Sequence, residues 1–222
     1  MAKFVVFDMD GVLADTEPLH CESCRALLEK LHLDVAAILP KAYARSKREF
    51  WAEVIRENGL LYTADELTRS EFGLLIEIVK KSGLRPTAGL CETLQKLRGT
   101  GFTLAVASSS DRVYVRAVLE VTGLKKYFTA VVCGNDVPAA KPAPDVYLRA
   151  LELCGAKAEQ AIAVEDSDTG IAAAKAAGLY CVGFDAVSEE KFRQKFTQAD
   201  AVVQDMRAVF PLLAAHFEEK GV

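Results

Sequence analysis

Phe4-Val5-Val6-Phe7-Asp8-Met9-Asp10-Gly11-Val12 decides how this chain is read. An apolar run ends in two aspartates one residue apart, followed at once by glycine. Side chains of extended backbone alternate between faces, so Asp8 and Asp10 share one. Two carboxylates crowded at a strand end repel, and one takes up a proton unless a cation lies between them. Strand packing has no use for such a pair. The arrangement points to a magnesium site, a carboxylate nucleophile with a nearby proton donor, or both.

Outward from this stretch, two regimes follow. Over residues 17–82 the pattern is almost wholly helical. Leu27, Leu28 and Leu31 share one face, and Phe50, Trp51, Val54 and Ile55 share another. Asn58-Gly59 closes the latter helix, and Thr63-Ala64-Asp65-Glu66 opens the next with a helix-start signature. From Pro86 onward helices and short apolar strands alternate. The spacing predicts helices over 90–97, 111–121, 145–153 and 167–177. It predicts strands over 3–8, 102–107, 130–133, 161–165, 180–184 and 201–203, with a helix closing the chain. The strands are continuous apolar runs, as expected of parallel strands covered on both faces. The predicted fold is α/β. Residues 1–16 and 84–222 form a doubly wound, Rossmann-like parallel-sheet core, and a helical cap domain over 17–83 is inserted after the first strand.

Composition narrows the function classes. In 222 residues, 51% hydrophobic and 26% charged content matches a globular protein, and a net charge of -4 gives no basic surface for nucleic acid. Apolar stretches such as Leu74-Leu75-Ile76-Glu77 are broken by charge too soon to span a bilayer. The N-terminus enters a strand pattern without signal-peptide architecture, which favours the cytoplasm. The six cysteines are scattered among apolar neighbours, as small buried hydrophobes of a reducing compartment are. Cys21-Glu22-Ser23-Cys24 lacks the second pair or thioredoxin-like context that a zinc or redox role requires.

Ligands of an open parallel sheet bind beyond the carboxyl ends of its strands. The first strand ends in Asp8 and Asp10, and the second in Ser108-Ser109-Ser110. Lys141-Pro142-Ala143-Pro144-Asp145 follows the third, and the fourth ends in Glu165-Asp166-Ser167. Each has an ordinary structural explanation. The serines can cap the following helix, although Asp111 already suits that task. Lys141 can be a solvated loop residue, and Glu165-Asp166 an acidic helix start. Together they supply carboxylates, hydroxyls and a lysine on one sheet edge, the inventory for magnesium plus a phosphoryl group.

On these motifs the chain resembles the haloacid dehalogenase-like phosphohydrolase superfamily, in the subgroup that includes β-phosphoglucomutase and phosphoglycolate phosphatase. Asp8-Met9-Asp10-Gly11-Val12-Leu13-Ala14-Asp15-Thr16-Glu17 matches the first family motif, Ser108 the second, Lys141 the third, and Glu165-Asp166-Ser167-Asp168-Thr169-Gly170-Ile171 the fourth. The resemblance implies that Asp8 attacks phosphorus to form an aspartyl-phosphate and that Asp10 moves the proton. It implies magnesium held by Asp8, the Asp10 backbone carbonyl, Asp166 and Glu165. Ser108 would bind phosphoryl oxygens and Lys141 would neutralise charge. The substrate implied is a small phosphorylated metabolite, with closure of the cap excluding water.

The cap carries a basic segment, Lys41-Ala42-Tyr43-Ala44-Arg45-Ser46-Lys47-Arg48, ahead of a helix whose dipole cations oppose. Its cations either reach an anionic substrate or form a solvated turn. Mutase relatives have a glycine, serine and arginine here, against Ala44, Ser46 and Lys47. Arg69 matches a later cap lysine loosely, and His20 matches a mutase histidine that plain phosphatases share. A sugar phosphomutase, in which a sugar hydroxyl replaces water as acceptor, is therefore the alternative enzyme. A phospho-receiver domain is the non-enzyme alternative, but lacks the Asp-x-Asp-Gly order and the helical insert.

Overall fold

The computed structural model describes residues 2–42, 46–186 and 194–219. Six strands form one sheet: β1 (Lys3–Phe7), β2 (Phe102–Ala107), β3 (Ala130–Val132), β4 (Ala161–Glu165), β5 (Tyr180–Phe184) and β6 (Ala201–Val203). Their order is β3-β2-β1-β4-β5-β6 and every pairing is parallel. Four helices, α1 (Glu17–Lys30), α2 (Val35–Ile38), α3 (Lys47–Asn58) and α4 (Ala64–Lys81), are inserted after β1. The strands that follow are connected by α5 (Leu90–Gly99), α6 (Arg112–Val121), α7 (Asp145–Cys154) and α8 (Asp168–Ala176), and α9 (Val209–Glu219) follows β6.

The chain builds outward from β1 to β3, then returns to the other side of β1 to lay down β4. The strand order therefore reverses at β1, and the ends of β2, β1 and β4 lie side by side where α/β sheets bind ligands. Phe7 is in register with Val106 on one side and Val164 on the other. The Asp8 N–H donates to the Val164 carbonyl at 2.9 Å. Asp8 thus leaves the sheet level with Ala107 and Glu165. Val5, Val6 and Phe7 of β1 and Ile162, Ala163 and Val164 of β4 are all buried, which accounts for their continuous apolar runs. On one face, Phe4, Val6, Ala105 and Ala163 pack with Tyr147 and Ala150 of α7 and Ile171 and Ala174 of α8.

Some element ends differ from the sequence expectation. β3 stops at Val132 because the next N–H facing β2, that of Gly134, goes to the Ser110 carbonyl at 2.9 Å, outside the ladder, while the Cys133 N–H turns to the Asp136 carboxylate. Helix α5 continues to Gly99, its end closed by the Thr100 N–H on the Lys96 and Leu97 carbonyls, and the chain reverses at Gly101 with φ 87°. No described helix is long and apolar enough to cross a membrane.

The backbone groups into two compact units, Met1–Asp15 with Leu84–Val222, and Thr16–Gly83. Within the helical unit, Cys24, Leu27, Leu28, Phe50, Trp51, Val54 and Leu67 form the core. Gly59 closes α3 with φ 61°, and Thr63 and Glu66 form a reciprocal capping box on α4. Cys21 is exposed on α1. Cys24, one turn on, is buried, and burial pushes its thiol up to about 12, unsuited to thiolate chemistry.

The basic segment has a third explanation that the sequence did not offer. Ser46 caps α3 by accepting the Glu49 N–H. Lys41 pairs with Glu57 at 2.9 Å, Arg48 with Asp65 at 3.1 Å, and Lys47 with Glu71 at 2.6 Å. Tyr43, Ala44 and Arg45 lie outside the described residues. His20 is half-buried on α1 and Arg69 exposed on α4. Glu71 is buried, and its carboxylate also accepts Trp51 Nε1–H at 2.7 Å and Ser23 Oγ–H at 3.4 Å. Removing it orphans the buried indole N–H and leaves Lys47 unpaired. Glu71→Ala is expected to destabilise this unit by about 2–3 kcal/mol. Trp51, the only tryptophan, reports the unit's unfolding in denaturant, and an unchanged midpoint would contradict the expectation.

Candidate active site

The turn after β1 builds the first wall of the site. Gly11 adopts φ 76°, its N–H donates to the Ala14 carbonyl, and the Leu13 N–H donates to the Met9 carbonyl. A Cβ on Gly11 would overlap the Asp166 carboxylate. Glycine is therefore required twice over, by conformation and by the approach of Asp166. Asp8, at the strand end, is buried.

Lys141 enters from the loop ahead of α7 and bridges the sheet edge. Its Nζ donates to Asp8 Oδ1, to Glu165 Oε1 at 2.6 Å and to the Ala107 carbonyl at 2.9 Å. Glu165 is wholly buried at the end of β4, where it also accepts from Tyr147 OH at 2.6 Å and Ser167 Oγ at 3.3 Å. Gly170 lets α8 begin against this carboxylate, since a Cβ there would overlap it. Burial alone would lower the pKa of the Lys141 ammonium. The carboxylates of Asp8 and Glu165 outweigh that penalty and hold its pKa above the ordinary lysine value.

Asp8, Glu165 and Asp166 each offer an oxygen within 4.8 Å of the others, the only metal-competent group of this kind among the described residues. Burial raises the Asp8 carboxyl well above its ordinary value. Lys141 works against the rise, and the charges of Glu165, Asp166 and Asp10 add to it. Asp166 is pushed up to about 8, by burial first and then by Glu165 and Asp10. Hard oxygen donors whose mutual repulsion a single ammonium does not cancel fit a divalent cation.

The Asp10 side chain is not in that triad. It accepts Ser110 Oγ–H at 2.8 Å and Tyr114 OH at 3.0 Å. Ser108 is buried, its Oγ accepts the Ser110 N–H at 3.1 Å, and its own N–H extends the sheet to the Val132 carbonyl. The serines do not cap α6. Asp111 does so, accepting the Val113 N–H at 2.8 Å.

The structure thus brings Asp8, Lys141, Glu165 and Asp166 into one cluster on the edge where Asp10 and Ser108 lie. Sequence reasoning missed Tyr114 and Tyr147, and singled out Ser110 only as one of three serines. Both tyrosines occupy the first turn of the helix that follows a strand, α6 shortly after β2 and α7 after the longer loop that carries Lys141. A tyrosine there borders the ligand edge, which is the signal that could have found them.

Comparison with known proteins agrees with this geometry. Residues 5–184 match the family model described as haloacid dehalogenase-like hydrolase. A phosphorylated carbohydrates phosphatase from Thermotoga maritima is 33% identical over 183 residues, covering 79% of this chain and 81% of its own. The fructose-1-phosphate phosphatase YqaB of Escherichia coli is 31% identical over 204 residues, covering 80% and 94%. Among solved structures, CbbY from Rhodobacter sphaeroides in complex with phosphate superposes with a TM-score of 0.79 at 24% identity, over 94% of this chain and 96% of that one, and so shares the fold. The match to the family model spans most of the chain, and with the four motifs at the strand ends it establishes that this protein belongs to the haloacid dehalogenase-like hydrolases.

Proposed function

We propose that this protein is a magnesium-dependent phosphatase for a small phosphorylated sugar, acting through an aspartyl-phosphate on Asp8. The observation that carries the reading is the buried Asp8–Lys141–Glu165 bridge beside a metal-competent acidic triad. Residues 1–16 and 84–222 are the catalytic core in this reading, and 17–83 the cap. The names of two relatives, one acting on phosphorylated carbohydrates and one on fructose 1-phosphate, support a sugar phosphate as substrate. Free thiols throughout the described chain support a cytoplasmic setting.

Magnesium would be held by Asp8, the Asp10 carbonyl, Glu165 and Asp166, and would supply positive charge that lets a phosphate dianion approach this edge. Lys141 holds Asp8 in place and offsets charge on the transferred group. Ser108, whose O–H remains a donor, takes a phosphoryl oxygen. Asp10 protonates the leaving oxygen as the Asp8–phosphorus bond forms. It then accepts a proton from water as that bond breaks. Two of the cap residues that prompted the mutase alternative have structural partners of their own. Ser46 is engaged as a helix cap, and Lys47 pairs with Glu71 inside the helical unit.

Asp8→Asn is expected to lower phosphate release from a panel of sugar phosphates by about a thousandfold or more while the circular dichroism spectrum stays unchanged. Substantial magnesium-dependent turnover by the folded variant would sink the nucleophile assignment. Hexose 6-phosphate formed from hexose 1-phosphate, in place of free phosphate, would favour the mutase.

A pH dependence follows from Asp166, whose carboxyl lies at about 8 against an ordinary value of 3.8. A raised carboxyl favours the folded state while protonated. That contribution is complete below the unfolded value and is lost as pH rises through about 8. The metal-free protein should therefore melt at lower temperature at pH 9 than at pH 6. Magnesium, which takes the place of the proton, should raise the melting temperature more at pH 9. A magnesium effect of equal size at both pH values would remove Asp166 from the ligand set.

A further inference from the structure

Asp10 carries the proton in both half-reactions of the mechanism above, so both require its carboxyl group to be oriented for transfer. It lies on a partly exposed turn, where an aspartate ordinarily samples several rotamers. Both of its oxygens are nevertheless held. Ser110 Oγ donates to Oδ2 at 2.8 Å and Tyr114 OH to Oδ1 at 3.0 Å.

Each donor is itself fixed. The Ser110 N–H donates to Ser108 Oγ at 3.1 Å, and the Ser110 carbonyl accepts the Gly134 N–H at 2.9 Å. Gly134 permits that approach, because a Cβ there would overlap the Ser109 carbonyl. The Tyr114 ring is buried in α6, one turn beyond the Asp111 cap, so its hydroxyl moves only if the helix repacks.

We propose that Ser110 and Tyr114 are positioning residues that clamp the Asp10 carboxyl group in the orientation required for proton transfer. The inference rests on the phosphatase reading and deepens it. With the clamp in place, orienting Asp10 is accomplished by folding and need not be repeated at each turnover. During cleavage of an alkyl ester, Asp8 bonds to phosphorus, the ester oxygen–phosphorus bond breaks, and the Asp10 proton passes to the departing oxygen. An aryl ester such as p-nitrophenyl phosphate releases a phenolate stable without that proton. The clamp therefore matters for the first ester and little for the second.

The test compares kcat/KM, which covers the steps through aspartyl-phosphate formation, for the best sugar phosphate of the panel and for p-nitrophenyl phosphate. Tyr114→Phe and Ser110→Ala are each expected to lower kcat/KM for the sugar phosphate about tenfold. The loss with p-nitrophenyl phosphate should stay below about twofold. Ser110→Ala, which disturbs no buried ring, keeps the test valid if Tyr114→Phe fails to fold. Equal losses with the two esters, or no loss with either, overturn the clamp while leaving the phosphatase reading intact. A folded wild-type protein that hydrolyses neither ester with magnesium overturns both.

Discussion

Crowding of like charge at one sheet edge governs this structure. Asp8, Asp10, Glu165 and Asp166 converge at the ends of β1 and β4, and a single buried ammonium, that of Lys141, stands among them. At an effective dielectric near 20, a charge pair at contact distance is worth about 4 kcal/mol in either direction, enough to decide whether such a cluster holds together. Much of the surrounding sequence answers to that constraint. Gly11 and Gly170 lack the Cβ that would strike the Asp166 and Glu165 carboxylates. Tyr147 shares Glu165 Oε1 with Lys141, and Ser167 satisfies Oε2. The carboxyls of Asp8 and Asp166 stay raised, by burial first and by their neighbours' charge after it.

The legibility of the chain followed the range of the forces involved. Strands β1 and β4 could be read directly, because burial on both faces demands an unbroken apolar run. The caps at Gly59 and Thr63 are local chemistry within four residues, and they occur where the motifs placed them. The polar residues at the strand ends were legible for a different reason. Asp8, Ser108, Lys141, Glu165 and Asp166 are expensive in those places for stability alone, so their joint presence marks the ligand edge.

What could not be read depends on tertiary direction. Tyr114 and Tyr147 sit among apolar neighbours in amphipathic helices and look like core residues, and only the fold aims their hydroxyls at Asp10 and Glu165. Lys47 looked out of place beside a helix N-terminus because its partner, Glu71, lies 24 residues further along the chain. The end of β3 shifted for the same reason on a smaller scale, since the Gly134 N–H leaves the ladder for the Ser110 carbonyl of the neighbouring loop.

The position of β1 has a consequence for how the chain assembles. This strand is made first, yet its two neighbours in the sheet are β2 and β4, the latter beginning only at Ala161. The contiguous helical unit, Thr16–Gly83, is complete on the nascent chain before either neighbour has been synthesised. Until residue 164 emerges, one flank of this buried strand has no partner, and Asp8 waits 133 positions for Lys141. Long-range parallel pairing of this kind is slow and leaves strand edges open to other chains. The acidic tip of β1 places like charge at the end of that open edge, where two growing chains would otherwise meet.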